Sequence, residues 1–510
     1  MNKRFFLRIR FYFGIRLGRL SQFFFIRRVF FEMKKILFVI IFISIFLSQT
    51  KFIFAENQTI RIGLESQKDM VVKNKKIYIG IKDKFIDCSF ETKTNFKINV
   101  VDDFDLKSRE SFSSYKDVLQ AKKKLAKNNL KTMIYIADVD LFFLCTEKTG
   151  KSISNQNDEI INVHEKKIFC VDNGEDMILI DCDKFKLKTE SDDLIELGNR
   201  KYCGDLEFNY DADAKKIIAI NNLDFDKYLS CVLGTEIPFN WHQEALKSQA
   251  VVLRTYLTKK MKNKPHKNYD LCDCGHCQIY KGFDKNFCGL EKIIKETNDL
   301  YIYYGDDLID AVFFSSSGGA TENSENVWGN RVDYLRSRKN DLNLIEENKI
   351  WSHEFLGSQI KKILARKSID IGNIIECKIL ENALSGRVNK LLLLGSQGEK
   401  ILVKEEIRDF FKLGNGQILE SRMFDLETQN FFNENNELDC VIKIFGKGYG
   451  HGVGMSQYGA KYLAESGLNF DEIIKYYYSG VEIKKSLVKT GGVFFIDKNL
   501  YYIQKLNFKI

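Results

Sequence analysis

The chain has 510 residues, of which 44% are hydrophobic and 13% aromatic, so it carries enough apolar material for the cores of two or three domains. Its net charge of +9 comes from 78 basic and 69 acidic residues, and a good part of the excess lies in the first 35 residues. This weak basic balance, without a basic stripe, argues against a nucleic-acid partner and leaves an anionic wall polymer or a membrane surface open.

The N-terminus has the pattern of an export signal. A charged Met-Lys-Lys at 33–35 is followed by the apolar run ILFVIIFISIFLS at 36–48. A run of this length is typical of a signal peptide and is short for a full membrane span. Ala55 offers a small residue for cleavage, and the alternative is an uncleaved anchor. Residues 1–32 are either an extension upstream of a true start at Met33 or a basic membrane-facing segment.

Two short segments after the signal alternate like β-strands, IRIGL from Ile60 and KKIYIGI from Lys75. Residues 113–137 then predict a helix followed by a strand. This pair is similar to one repeat of the sporulation-related glycan-binding domain. We therefore expect a small β-rich N-terminal module over residues 56–155.

The next part of the chain alternates strands such as AKKIIAINN with long helices. Apolar residues at helical spacing predict a helix after Asn240, which can act as the N-cap with Gln243 as its reciprocal partner. Glu236 precedes this helix and stands two residues before Pro238, one of only two prolines in the chain. We therefore expect its carboxylate on a stiffened loop near a helix N-terminus. Further on, residues 351–365 predict a helix that leads into strands at 374–380 and 390–403.

Twelve cysteines in an exported chain would ordinarily indicate disulfides, but nine of them are scattered singly, mostly in apolar stretches that favour buried free thiols. The other three, Cys272, Cys274 and Cys277, cluster with His276 in six residues. Thiolate and imidazole ligands indicate a structural Zn²⁺ site. Its predicted ligands are Cys272, His276, Cys277 and His266, and the role of Cys274 stays open. Reduced thiols or one Cys–Cys bridge are the alternative.

A second motif, GKGYGHGVGMSQYGA at 446–460, has five alternating glycines around His451. It lacks the third glycine of a dinucleotide fingerprint, and no lysine with serine or threonine follows as a phosphate loop requires. Glycines permit positive φ and close approach, so we interpret the motif as the floor of a binding site, against the alternative of a tight turn. If so, it approaches Glu236 within roughly 3–6 Å.

These motifs together resemble the stage II sporulation protein D family, which includes the amidase enhancers. The resemblance runs from Lys201 to Ile483. Besides the glycine motif, its pieces are YCGDLEF, LDFDKYLSCVLGTEIP, SQAVVLRTYL, CDCGHCQIYKG and FFSSSGGATENSENVWG. The segment SGRVNKLLLLGSQGEKILVKEEIRDFF also resembles the family's hairpin and helix, which places 345–440 in the same domain.

The resemblance implies a lytic transglycosylase of the cell wall, in which Glu236 of the E-[MI]-P element is the catalytic acid and base. It also implies zinc in the cysteine region. Tyr280, Trp328 and Tyr458 are candidates to stack on sugar rings. The expected substrate-binding residues are Gln249, Arg254, Ser315, Ser316, Ser317, Gly448, Gly450, His451, Gly452, Met455, Ser456, Gln457 and Tyr458. A serine hydrolase is disfavoured because no G-x-S-x-G elbow is present.

The expected fold is α+β, with a mixed α/β catalytic domain that contains a cleft, preceded by the β-rich module. The expected divisions are 1–55, 56–155, 156–487 and a tail at 488–510. The protein is expected to be exported, at the cell surface or anchored facing the wall, and to bind peptidoglycan glycan strands. Expected partners include a wall amidase such as stage II sporulation protein P and a membrane scaffold such as stage II sporulation protein M. The alternative is a non-catalytic wall-binding enhancer of an amidase.

Overall fold

The computed structural model describes residues 59–485 except 74–76, 83, 89–94, 102–104, 127–131, 148–158, 163–167, 173–176, 190–193, 288, 340–349, 414–415, 435 and 437. One compact unit comprises Thr59–Ile510. The predicted signal at 33–55 and the tail at 488–510 lie outside the described residues. Among the described helices, none is both long and apolar enough to cross a membrane.

Two large β-sheets are built from the first part of this unit. Their strands are β1 (Thr59–Gly63), β2 (Val71–Val72), β3 (Ile77–Ile81), β4 (Lys84–Cys88), β5 (Phe96–Val101), β6 (Asp105–Phe112), β7 (Met133–Asp138), β8 (Leu141–Glu147), β9 (Glu159–Asn162), β10 (Ile168–Asp172), β11 (Met177–Ile180), β12 (Lys184–Lys188), β13 (Ile195–Leu197), β14 (Arg200–Tyr202), β15 (Asp205–Asp211), β16 (Lys216–Asp224) and β17 (Leu271–Cys272). The seven-stranded sheet has the order β17-β1-β16-β15-β12-β3-β4, and the ten-stranded sheet the order β14-β13-β2-β5-β10-β11-β7-β8-β6-β9.

The strands predicted at the start of the module are present, but the sheets continue across the expected boundary at 155/156. Strand β10 pairs with β5, and β12 pairs with β3. Strand β1 lies between β16 and β17, so it belongs to the same sheet as the strand that carries Cys272. The alternation of IRIG buries Ile60 and Ile62 in one hydrophobic core with residues of the downstream helices. The module and the next domain are therefore joined through shared sheets.

The helices are, in chain order, α1 (Tyr115–Ala126), α2 (Phe225–Glu236), α3 (Gln243–Lys262), α4 (Leu290–Glu296), α5 (Glu325–Trp328), α6 (Gly357–Arg366), α7 (Glu406–Phe410), α8 (Gln457–Glu465) and α9 (Phe470–Tyr477), with a short 3₁₀ helix at Lys285–Phe287. The helix expected after Asn240 is present as α3, but its N-cap is His242, whose side chain accepts from the backbone N–H of Glu244. The predicted cap at Asn240 was therefore wrong by two residues.

The second part of the unit contains smaller sheets. Their strands are β18 (Leu300–Tyr304), β19 (Asp307–Leu308), β20 (Phe313–Phe314), β21 (Ile350–Leu356), β22 (Ile374–Asn382), β23 (Val388–Gly395), β24 (Gly398–Val403), β25 (Phe424–Phe432), β26 (Leu438–Lys447), β27 (Met455–Ser456) and β28 (Glu482–Lys485). The sheet orders are β19-β18-β28, β20-β27, β21-β26-β25 and β22-β23-β24. Together with the helices, these sheets confirm the expected α+β class.

The region around β21–β26 has a hydrophobic core of its own, centred on residues such as Leu391 and Ile442. Its first element differs from the prediction, because residues 350–356 form strand β21 and the helix begins only at Gly357. Antiparallel pairing with β26 along seven residue pairs holds this segment extended. The helical pattern of the sequence was overridden there by tertiary pairing.

Candidate active site

Glu236 is the last residue of helix α2, which corrects the expectation of a loop position near a helix N-terminus. The side chain of Asp224 caps the start of this helix by accepting from two backbone N–H groups of its first turn. At the other end, the N–H of Ile237 donates to the carbonyl of Leu233. A helix C-terminus carries partial negative charge, so this position disfavours an ionised carboxylate.

Two glutamine amides hold the two carboxylate oxygens of Glu236. Nε2 of Gln278 donates to Oε1 over 2.5 Å, and Nε2 of Gln457 donates to Oε2 over 3.2 Å. Both glutamines are only 7% exposed. Gln278 follows the cysteine cluster directly, and Gln457 lies at the end of the glycine motif. The site is thus assembled from three separate segments, and the glycine motif reaches Glu236 within the distance expected from the sequence.

The environment of Glu236 acts on its ionisation in two directions. Burial raises the pKa of its carboxyl above the ordinary value, whereas the hydrogen bonds from Gln457 and Gln278 and the charge of Lys281 oppose the rise. A carboxyl with a raised pKa keeps its proton closer to neutral pH and can act as a general acid. The amides stabilise the ionised form that remains after proton donation. No second carboxylate of the described residues is among the groups that shift this pKa.

A cluster of four metal-ligating side chains lies immediately before Gln278. The donor atoms of His266, Cys272, His276 and Cys277 all lie within 4.8 Å of one another. The Sγ of Cys277 is 3.2 Å from Nε2 of His266 and 3.4 Å from Nδ1 of His276, and the Sγ of Cys272 is 3.7 Å from the latter atom. Sulfur and nitrogen ligands of a tetrahedral zinc are about 3.5 Å apart, so the donor set fits such an ion.

Cys274 is set apart from this group, although its Sγ lies 3.2 Å from that of Cys272. It forms a second, smaller group of possible donors with Cys272 and the exposed Glu65. The cysteines of the cluster are free thiols in the structure. The four ligands predicted from the sequence are thus the larger of the two donor groups that the structure brings together. Among the scattered cysteines that the structure describes, all are free and most are buried.

Helix α3 and strand β1 fix the backbone of the cysteine segment. The hydroxyl of Tyr256 donates to the carbonyl of Cys277 over 3.3 Å, and Nζ of Lys260 donates to the carbonyls of His276 and Cys277. On the other side, the N–H of Asp273 donates to the carbonyl of Gly63 at the end of β1. The segment that carries the cluster therefore has backbone anchors in two different elements.

The glycine motif is a structural loop rather than an open floor for a ligand. Gly448, Gly450, Gly452 and Gly454 all have positive φ. A Cβ at Gly450 would lie 2.7 Å from the Cβ of Phe314, and one at Gly454 would lie 2.0 Å from the carbonyl oxygen of Val312. Positive φ was expected, but the close approach is made by this chain's own segment 312–318. The prediction that these glycines admit a sugar chain was wrong.

Comparisons with known proteins agree with this arrangement. The family described as stage II sporulation protein matches residues 213–304, which include Glu236 and the whole Cys/His cluster. Stage II sporulation protein D of Bacillus amyloliquefaciens is 29% identical over 283 residues, which are 52% of this chain and 76% of that protein. That protein of Bacillus subtilis is 28% identical over the same shares. Residues 213–304 therefore carry the stage II sporulation protein domain.

Two further proteins to which the chain is similar have different names. An uncharacterised protein of Brachyspira hyodysenteriae is 29% identical over 295 residues, 58% of this chain and 75% of that protein. The amidase enhancer of Bacillus subtilis is 28% identical over 331 residues, 57% of this chain and 45% of the enhancer. A domain of unknown function matches residues 325–454, the part that includes strands β21–β26. The stage II sporulation match therefore ends before the region with its own hydrophobic core.

Several residues expected to bind substrate are enclosed in the structure. Arg254 is 1% exposed, and its guanidinium donates to the carbonyls of Thr297 and Ile294 at the end of helix α4, so it stabilises a helix terminus. Gln249 on the same helix is equally buried. Tyr280 is fully buried and donates to Oδ1 of Asn221. We therefore withdraw Arg254 and Gln249 from the expected substrate-binding residues, and Tyr280 from the residues expected to stack on sugar rings.

The segments around β20 and β27 contain further corrections. Met455 is fully buried in a hydrophobic core, and Ser456 is the N-cap of α8 through its bond from the N–H of Gly459. Ser316 and Ser317 are also fully buried. Met455 and Ser316 take part in backbone pairing, and the carbonyl of Ser317 accepts from the guanidinium of Arg387. These four positions therefore hold the loop in place. They do not present side chains to a ligand in this conformation.

His451 is held in an aromatic setting away from the contacts of Glu236. Its ring lies 5.6 Å from that of Phe314 and 5.2 Å from that of Trp328, and its Nδ1 accepts from the N–H of Val453. Burial lowers the pKa of His451 to about 4, so the imidazole is neutral at physiological pH. Trp328 itself is 50% exposed and stays a candidate for stacking on a sugar.

The residues that stay close to Glu236 include some that sequence reasoning missed. Tyr458 follows Gln457, its N–H donates to the carbonyl of the half-buried Ser315, and its ring packs edge-on against Trp241 at 5.1 Å. Trp241 and Gln278 were not predicted. Gln278 had a usable signal, because it is the polar residue directly after the last thiol of the cluster.

Proposed function

We propose that this protein is a peptidoglycan lytic transglycosylase that cleaves glycan strands between N-acetylmuramic acid and N-acetylglucosamine. The observation that supports this best is the half-buried carboxyl of Glu236, with a raised pKa and one amide on each oxygen. Single-carboxylate chemistry is consistent with the absence of a second acid among the described groups that shift this pKa. Ordinary glycoside hydrolysis uses two carboxylates.

The first step uses Glu236 as an acid. Burial keeps the proton on the carboxyl, which donates it to the glycosidic oxygen as the bond to the anomeric carbon breaks. The leaving sugar departs with a hydroxyl group at that oxygen. The positive charge that develops at the anomeric carbon lies near the newly formed carboxylate, which stabilises it electrostatically.

The second step uses the same group as a base. The ionised carboxylate, held by Gln278 and Gln457, accepts the proton of the C6 hydroxyl of the muramic acid residue. The C6 oxygen then attacks the anomeric carbon and closes a 1,6-anhydro ring, which returns Glu236 to its protonated form. No water enters the product, so the strand ends differ chemically from those left by a hydrolase. The amides favour this step because they stabilise the ionised form.

The surroundings of Glu236 suit a polymer of amphipathic sugars. Phe239 lies three residues beyond the acid and is 54% exposed, and Ile279 follows Gln278 and is 46% exposed. Tyr458 and Ser315 complete the proposed sugar-contacting set, together with Trp328, which ends helix α5 and lies beside His451 of the glycine loop. Apolar faces beside a few polar groups are typical of carbohydrate and small-molecule sites. Strands that lack stem peptides are the proposed substrate.

We further propose that His266, Cys272, His276 and Cys277 hold a structural Zn²⁺. Two thiolates and two imidazoles close the coordination sphere, so the ion has no open position for substrate and supplies rigidity rather than Lewis-acid chemistry. Export to the cell surface, either released from the signal or anchored by it, would bring the enzyme to its substrate. The released form and the anchored form both depend on residues 33–55, which lie outside the described residues.

A non-catalytic amidase enhancer is the second candidate function. It is favoured by the similarity to a protein named amidase enhancer, which spans 57% of this chain. An enhancer would bind the same glycan strands and would not need the proton of Glu236. A buried carboxyl between two amide donors would then be only a structural feature.

Product analysis distinguishes the two candidates. The purified protein is incubated with glycan strands stripped of stem peptides, and the products are reduced with borohydride and analysed by mass spectrometry. A transglycosylase yields anhydro ends, which are one water lighter and resist reduction, whereas a hydrolase yields reducible ends. Intact strands, together with faster wall digestion by an added amidase, would instead support the enhancer.

A further inference from the structure

The Cys/His cluster and the catalytic carboxyl are linked by one short stretch of chain. Gln278 is bonded in sequence to Cys277, whose Sγ is one of the four converging donors. At the other end of its side chain, Nε2 of Gln278 lies 2.5 Å from Oε1 of Glu236. A single residue, Gln278, therefore connects the cluster to the carboxyl. Its hydrogen bond to Glu236 is the shorter of the two that the amides donate.

The position of Gln278 depends on how the cluster is held together. The N–H of Cys277 donates to the carbonyl of Cys274 over 3.2 Å, which closes a tight turn, and the N–H of Tyr280 donates back to Asp273. Tyr256 and Lys260 hold the carbonyl groups of this turn. A bound cation would hold the four donors together, because the binding energy of a metal at such a site is also folding energy. Loss of the ion therefore loosens the turn on which Gln278 stands.

The second amide has a different support. Gln457 begins helix α8, whose N-cap Ser456 lies in a two-strand pair with Phe314. None of the four converging donors belongs to that region of the described chain. The charged side chain that acts on Glu236 is Lys281, three residues beyond Gln278. Metal occupancy therefore affects the hydrogen bond from Gln278 to Glu236 and leaves the hydrogen bond from Gln457 unchanged.

We propose that Gln278 is a positioning residue that couples metal occupancy of the Cys/His cluster to the geometry and ionisation of Glu236. Its consequence for catalysis rests on the proposed enzymatic activity, whereas the coupling itself rests only on the proposed zinc site. With the ion bound, Gln278 donates to the carboxylate and favours its ionised form. Without the ion, this donor moves away, and the balance between the acid and base forms of Glu236 shifts toward the protonated acid.

The coupling is measured without substrate. In protein labelled with ¹³C at glutamate carboxyl groups, the Glu236 signal is assigned by its loss in Glu236→Gln, and its titration is followed with zinc bound and after chelation. Gln278→Met and the matched control Gln457→Met each remove one donor, so both raise the pKa of Glu236 in the zinc-bound state. Chelation should raise it further in the wild type and in Gln457→Met, but not in Gln278→Met.

A second measurement covers the case in which the chelated protein unfolds. Coupling between two sites is reciprocal, so a change at Glu236 must alter metal affinity if Gln278 transmits it. In a chelator competition at neutral pH, Glu236→Gln should weaken zinc binding by a few-fold, below the roughly 10–100-fold seen for groups bonded directly to a ligand. In the Gln278→Met background the same change should have no effect.

Two results would overturn the coupling. One is an equal response of the Glu236 titration to chelation with and without Gln278. The other is a zinc affinity that Glu236→Gln leaves unchanged in the wild-type background. A protein that shows the coupling but releases no anhydro products would contradict the proposed enzymatic function alone, so the two proposals fail separately.

Discussion

The cysteine segment and the glycine loop perform the same task in different ways. Each delivers one glutamine amide to an oxygen of Glu236, Gln278 from the first and Gln457 from the second. The cysteine segment is a tight turn whose side chains converge on a space for a cation. The glycine loop is packed directly, backbone against backbone, on residues 312–318.

The two segments therefore differ in what they need in order to hold their glutamine in place. The cysteine segment is a conditional support, which requires the proposed metal ion, and the glycine loop is a permanent support, which requires none. A turn held by metal ligands depends on the supply of the ion, because ligand binding energy is folding energy at such sites. A loop held by backbone contact depends only on residue size, because a single Cβ would collide with its neighbour. Two motifs that looked equally like ligand sites in the sequence therefore differ in what disrupts them. The following predictions test this contrast.

The largest expected effect is on catalysis, at the residue both regions support. Glu236→Gln should lower the rate of strand cleavage by about 10²–10⁴-fold, because the amide cannot donate or accept the proton. Folding and glycan binding should be retained because the volume hardly changes. The rate of anhydro-end formation measures the effect, with the exposed Glu354→Gln as control. Wild-type turnover in the Glu236 variant would exclude it as the acid and support the enhancer.

Removal of a metal ligand should disrupt the cysteine segment, the conditional support. Protein prepared without affinity-tag metals should contain about one zinc per chain, and Cys272→Ser or Cys277→Ser should reduce this to near none and lower the melting temperature. Cys274→Ser is the matched control, since this thiol lies outside the four-donor group. Metal analysis and thermal melts measure both effects. A metal-free wild-type protein with full activity would contradict the zinc proposal.

An added side chain should disrupt the glycine loop, the permanent support. Gly454 and Gly467 have φ of 80° and 97°, but a Cβ at Gly454 would lie 2.0 Å from the carbonyl oxygen of Val312, whereas Gly467 has open space. Gly467→Ala should cost about 1–2 kcal/mol for its left-handed backbone, and Gly454→Ala roughly 1–3 kcal/mol more for the collision. Urea unfolding measures both free energies. Equal losses would mean that the loop is not closely packed there.

The smallest effect concerns stability and pH. Burial raises the pKa of Glu236 above 4.5, the ordinary pKa of a glutamate, which it has in the unfolded chain. The folded protein therefore holds this proton more tightly than the unfolded chain does. The resulting stabilisation is complete below that value and is lost as pH rises through the folded-state pKa. Glu236→Gln has no carboxyl to titrate, so it does not lose stability in this way as pH rises. The melting temperature of Glu236→Gln relative to that of the wild type should therefore increase as pH rises, and a difference independent of pH would contradict the raised pKa.

The sequence by itself determined which metal-ligating side chains would lie close together. Thiols and imidazoles spaced within a few residues must meet, because the chain between them is too short to separate them, so Cys272, His276 and Cys277 were predictable as a group. The helix α3 followed from apolar periodicity, and the strands at β1 and β22 followed from alternation. In each case the signal is local, and local geometry follows from the order of residues along the chain.

Only the tertiary structure decided what each conspicuous residue faces. Sequence could place Arg254 and Tyr280 on good motifs but could not show that both turn inward, since burial depends on the neighbours that pack around an element. It could not show that 350–356 pairs with β26 rather than joining the next helix. It also could not show which amides reach Glu236, because Gln278 and Gln457 lie 42 and 221 residues away. Such contacts arise from packing between distant segments, for which the local pattern of residues carries no direct signal.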